Sequence, residues 1–244
     1  MTDPAFVPGV PAAAVLAALA RLPGLDLDSP DSSAALVANG LGWFLDRPRQ
    51  LLPFPGVPMG LPETVELGVE MQLPMRGVRH PWLDAVVTTP TTLVGIASKR
   101  YQPFRPAKAT AFTEPFGTRD WGPGMARYGA MRLALTTGRQ TFRHLDAVSL
   151  VKQAYGLRTQ SVKRARGAVL VYLHAAPAQW ASGKMVDPSA IARHQAEITD
   201  FARAVKGDDV TFVALRWADL LVQWSKSPAL TAHAAAVTGW FGGL

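Results

Sequence analysis

The chain has 244 residues, 48% of them hydrophobic, which is enough to fill the core of one large domain and excludes disorder throughout. Its 25 Lys and Arg against 18 Asp and Glu leave a net charge of +7, a balance that favours polyanionic partners through counterion release. Cysteine is absent, which excludes disulfide frameworks, thiol nucleophiles and thiolate zinc sites.

From the N-terminus, no cationic region precedes the apolar stretch at 10–22, and Pro11, Arg21 and Pro23 interrupt it, so a signal peptide is not expected. No run reaches the roughly 20 apolar residues that span a bilayer. The expectation is a soluble, cytoplasmic protein with no membrane contact. Alanine and leucine content predicts a short helix over 11–22. A second is expected over 32–45, capped by Asp31 or Ser32. Five prolines between Arg47 and Pro62 predict a segment that crosses the surface without regular structure, suited to a hinge or clamp arm.

Val65, Leu67, Val69, Met71 and Leu73 alternate with polar residues or glycine, the pattern of a half-buried strand whose polar face holds Glu66 and Glu70. Next come Trp82 to Val87, a turn around Thr89 and Pro90, and the β-rich run Leu93 to Lys99, which together read as a hairpin. Folding at that turn sets Asp84 opposite residues 96–97, and the period of two puts Ala97 and Lys99 on one face. Residues 101–124 are too aromatic for a disordered linker. Helices are predicted over 125–137 and 141–155, and the basic stretch 158–167 reads as a charged loop. The continuous apolar run 168–174 has the signature of a strand buried on both faces. A helix over 188–205, a second buried strand over 210–215 and a helical region after Trp217 complete the chain. No repeat or domain boundary interrupts it, so a single domain is expected.

An aspartate on one strand facing an acid, any residue and lysine on the next resembles the active-site hairpin of the PD-(D/E)XK nuclease superfamily. The matching residues are Asp84 and Ala97-Ser98-Lys99, with alanine at the acid position. The flanking string from Leu93 to Phe104 is similar to a bacterial branch of restriction-endonuclease-like proteins whose equivalent reads Gly-Ile-Glu-Ser-Lys. The resemblance implies an α/β fold: a three-layer restriction-endonuclease-like core with a central mixed sheet flanked by helices. That core would span 63–222, after N-terminal helices and a Pro-rich loop in 1–62 and before a C-terminal helix in 223–244.

The resemblance further implies Mg²⁺- or Mn²⁺-dependent cleavage of DNA, with Asp84 as main metal ligand, Glu70 or Glu66 as upstream acid and Lys99 as positioning cation. Glu70 is favoured, being nearer the end that the next strand meets. Alanine cannot ligate a cation, so Ala97 implies weak metal binding and impaired cleavage, and Gln102 places a second neutral residue where related proteins carry an acid. Lys99, Arg100, Arg105 and Lys108, interleaved with Tyr101 and Phe104, form a candidate DNA-binding cluster. The competing expectation is a non-catalytic nucleic-acid-binding or protein-interaction module on the same fold, and either reading is compatible with a homodimer. His194 and Glu197 share a helix face but lack a second histidine at metal spacing, which points to a solvated or capping role.

Overall fold

The computed structural model describes residues 6–22, 24–75, 77–106, 110–118 and 120–244. Helix α1 (Ala12–Leu19) and α2 (Ser33–Gly40) lead into short 3-10 turns at Gly42–Phe44 and Pro48–Gln50. Ser32 caps α2, its hydroxyl accepting from the Ala35 amide at 3.2 Å. The proline-rich stretch differs from expectation: Leu51, Phe54 and Val57 are buried and fasten it to the core, so it is not a free arm.

Strands β1 (Thr64–Glu70), β2 (Trp82–Thr88) and β3 (Thr92–Lys99) form an antiparallel meander, and β4 (Gly167–His174) and β5 (Val210–Arg216) extend it in parallel. The sheet order is β1-β2-β3-β4-β5. The predicted turn forms at Thr89 to Thr92, where the Thr89 amide donates to the Thr92 carbonyl at 2.9 Å and the Thr89 hydroxyl accepts from the Thr92 amide at 3.0 Å. Pro90 supplies its fixed φ between them.

After β3 the chain passes through a four-residue helix, α3 (Pro115–Thr118), then α4 (Ala126–Thr136) and α5 (Ala147–Lys163), before returning as β4. Helix α6 (Pro188–Val205) joins β4 to β5, and α7 (Trp217–Ser225) and α8 (Thr231–Phe241) follow. The boundaries of α5 differ from the sequence reading. Residues 141–146 stay outside the helix, which starts after the cap Asp146 and runs through Arg158 and Lys163, so much of the expected charged loop is helical.

Helices cover both faces of this mixed sheet. On one face Val65, Leu67, Ala85, Ile96 and Val171 pack with residues of α1, α2, α7 and α8. On the other, Leu83, Val86, Leu93, Leu170 and Tyr172 pack with α4, α5 and α6. Strand β4 feeds both cores, which explains its unbroken apolar run. Gly95 lets α5 pack close to β3: a Cβ there would lie 2.5 Å from Leu83 Cδ1 of β2 and 3.1 Å from Leu157 Cδ2 of α5. Among the described residues, no helix is long and apolar enough to cross a membrane.

Candidate functional site

The hairpin opens at one end. Ladder partners between β2 and β3 run from Thr88 and Leu93 to Ala85 and Ile96. Beyond them the Asp84 carboxylate replaces the backbone, its Oδ2 accepting the Ser98 amide at 2.6 Å. The carboxylate expected opposite residues 96–97 thus meets the amide of Ser98. Here the carboxylate closes the end of the ladder. Ser98 is completely buried, and its hydroxyl accepts the Trp217 indole N–H at 3.0 Å. Ala97, also buried, packs in the core shared by Leu93 and Tyr172. Lys99 is half-buried at the end of β3 and lines a cleft.

The expectation that Glu66 and Glu70 share a face fails at Gly68. This glycine has φ +57°, a left-handed conformation in mid-strand that a Cβ would penalise. Val65 and Leu67 pack in one core, whereas Val69 and Met71 pack in the other, so the strand changes its apolar side at the glycine and the two glutamates fall on opposite faces. Glu70 lies opposite Trp82 at the end of β1.

Mg²⁺ demands near-octahedral oxygen ligation, commonly with one or two carboxylates. Among the described residues no group of three His, Cys, Asp or Glu side chains is arranged to hold a metal. One Asp84 oxygen is committed to Ser98, and position 97 offers a methyl group, so this donor set does not suit the ion.

The candidate basic cluster divides. Arg100 is buried, with only 2% of its surface exposed. Its Nη2 donates to the carbonyls of Phe241 and Gly242, and its guanidinium lies 5.0 and 5.3 Å from the Tyr101 and Phe241 ring centres. Desolvation lowers its pKa. This arginine ties β3 to the end of α8 and presents no charge to a phosphate backbone, which corrects its assignment as a surface contact. Gln102 bridges the same region, accepting from the Arg100 amide and donating to Ser33. Arg105 is exposed and lies 5.7 Å from the Trp180 ring, which itself stacks on Tyr101 at 4.7 Å. Lys108 lies outside the described residues.

The cleft beside Lys99 encloses about 510 Å³ at the C-terminal ends of β3 and β4, where parallel α/β sheets commonly bind ligands. Arg105 and Arg143 line it with Lys99, and Phe142, His144 and Tyr172 supply rings. Its walls are stapled together. His144 Nδ1 bonds the Pro103 carbonyl at 2.7 Å, joining the segment after β3 to the segment before α5. From α6, the Glu197 carboxylate accepts the amides of Arg143, His144 and Leu145 at 2.9, 2.7 and 3.0 Å. Burial opposes its ionisation, yet those amides and the Arg193 guanidinium outweigh burial and keep its pKa below the ordinary value.

Behind the cleft, the Tyr172 hydroxyl lies 2.9 Å from His194 Nε2, and the His174 and His194 rings meet edge to face at 5.4 Å. Burial keeps both imidazoles neutral, lowering His174 to about 4 and His194 to about 3. Burial also holds the Tyr172 hydroxyl protonated. Sequence reasoning passed over Tyr172, His174, Arg143 and His144, and it expected His194 and Glu197 to be solvated or capping. Both are buried, and Glu197 caps no helix: it holds three amides of the segment before α5, more than 50 residues away, while Asp146 caps α5. The strong apolar periodicity of α6 around these two polar residues was the available signal.

No family profile, curated protein or solved structure matches this chain.

Proposed function

We propose that this chain is a DNA-binding protein of the PD-(D/E)XK nuclease superfamily, with a restriction-endonuclease-like core that lacks the ligands for efficient metal-dependent cleavage in this form. The carrying observation is the contact of Asp84 with the Ser98 amide, which sets an aspartate of one strand against the segment ending in Lys99 on the next. Supporting it are the antiparallel hairpin that leads into two parallel strands, the cleft beside Lys99 and the net positive charge. The buried methyl group of Ala97 accounts for the missing ligand.

In a metal-dependent phosphodiesterase, the ion neutralises phosphate charge and lowers the pKa of the attacking water. This chain's own groups would do less: Lys99 and Arg105 would attract and orient a phosphodiester. DNA binding and supercoiled-plasmid relaxation, measured with Mg²⁺ or Mn²⁺ for this chain and for Ala97→Glu, test the reading. The chain should bind DNA and cut poorly, and the variant should gain metal-dependent nicking. If neither protein binds nor cuts DNA, the proposal fails.

A further inference from the structure

Resting on the DNA-binding reading, we infer that the cleft between Lys99 and Phe142 receives one unpaired nucleotide, recognised as a nucleoside monophosphate unit, so that single-stranded DNA is preferred over a duplex. Size supplies the first argument. About 510 Å³ falls within the ~300–1,000 Å³ range of clefts that enclose a single small molecule. A duplex is read by elements that protrude into grooves about 12 Å wide, and its bases enter a recess only after leaving the stack.

Charge supplies the second argument. Lys99, Arg105 and Arg143 line the cleft, against one carboxylate, Asp146. That carboxylate is engaged: its Oδ1 accepts the Ser149 amide at 3.0 Å and the Thr110 hydroxyl at 3.1 Å, and its Oδ2 accepts the Ser149 hydroxyl at 2.6 Å. The balance left for a ligand is cationic, suited to phosphate. The third argument is the lining itself. Phe142, half-buried, offers ring surface for a base, while Gln140 offers both donors and acceptors for its edge.

Preorganisation completes the case. The amides preceding α5 are held by Glu197, and the opposite wall is tied to them through His144 and Pro103, so the cleft exists before a ligand arrives. Trp180 extends this surface at the Arg105 rim, stacked on Tyr101, where a neighbouring base of the same strand can lie.

Fluorescence anisotropy with a labelled 12-nucleotide single strand, the corresponding blunt duplex, and unlabelled dTMP and dAMP as competitors tests the inference. The single strand should bind at least about tenfold tighter than the duplex, and the monophosphates should displace it. Arg105→Gln combined with Arg143→Gln should weaken single-strand binding about tenfold or more and reduce the salt slope by about 1.4, the sum for two phosphate contacts. Phe142→Ala should weaken it by about tenfold through lost stacking. Lys206→Gln, an exposed charge at the opposite end of α6, should leave affinity within about twofold.

Equal or tighter duplex binding that ignores the cleft variants overturns the inference while leaving the DNA-binding reading intact. Binding of monophosphates without any DNA binding supports the cleft as a free-nucleotide site and overturns the DNA reading. Binding of none of these probes overturns both.

Discussion

Glu197→Ala removes the single acceptor that serves three backbone amides. The Glu197 side chain is 8% exposed, and its oxygens lie 2.9, 2.7 and 3.0 Å from the amides of Arg143, His144 and Leu145, with Arg193 Nε at 3.2 Å. Each amide left without a partner costs about 1–3 kcal/mol where water cannot reach it. Leu145 is buried, whereas Arg143 and His144 lie nearer solvent, so two of the three can recruit water. The net loss is therefore about 3–4 kcal/mol rather than the sum of three full penalties.

For a chain of this length each kcal/mol moves the midpoint by about 2–4 °C, so Tm should fall by about 6–16 °C. Glu197→Gln keeps the volume and one acceptor but loses the charge-assisted character of the bonds, and should cost about half as much. Differential scanning fluorimetry gives the shift, and amide hydrogen exchange gives its location, with protection lost first at 143–145. A fall of less than about 2 °C in the alanine variant, or unchanged exchange at those amides, would refute the claim that this carboxylate anchors the cleft wall.

Acid should destabilise the fold early. As pH drops below about 6.5 the unfolded chain protonates His174 and His194, whereas the folded rings stay neutral until about 4 and about 3, so stability is lost with decreasing pH at up to about 1.4 kcal/mol per pH unit for each ring. Glu197 adds to the loss at still lower pH, because its folded pKa is depressed. Burial dominates both histidines; at His174 the Ala175 backbone and Asp219 oppose it and Arg216 reinforces it, and at His194 the His174 and His144 rings reinforce it and Glu197 opposes it. Urea unfolding from pH 7.5 to 4.5 should show this slope, and a flat profile would contradict it.

Ser98→Ala strands the buried Trp217 N–H and should cost about 1–3 kcal/mol. Combining it with Trp217→Phe should cost less than the sum of the single changes, as a double-mutant cycle will read out. Gly95→Ala drives a methyl group into Leu83 and Leu157 and should lose about 1–3 kcal/mol in chemical denaturation. A neutral result there would mean that α5 can retreat from the sheet.

Elements governed by short-range pattern were legible in the sequence. The unbroken apolar run of β4 required an interior position, the Thr89-Pro90 turn closed the hairpin, and the helix expected over 188–205 is α6. The pairing of Asp84 with the segment ending in Lys99 followed from the same local geometry, because a tight turn fixes register. The start of α5 was not legible. Thr141 to Asp146 carries helical apolar spacing, and a carboxylate from α6 captures the amides that a helix would otherwise satisfy.

The sequence by itself determined the order of strands and helices and the hairpin that carries Asp84 and Ala97, because these depend on periodicity and turn chemistry among neighbours in the chain. Only the tertiary structure decided that Arg100 serves the C-terminal helix, that Glu66 and Glu70 part at Gly68, and that His144, Tyr172, His194 and Glu197 assemble around one cleft. Those outcomes depend on which groups meet across long separations in sequence, and on the need of each buried donor or charge to find a partner there.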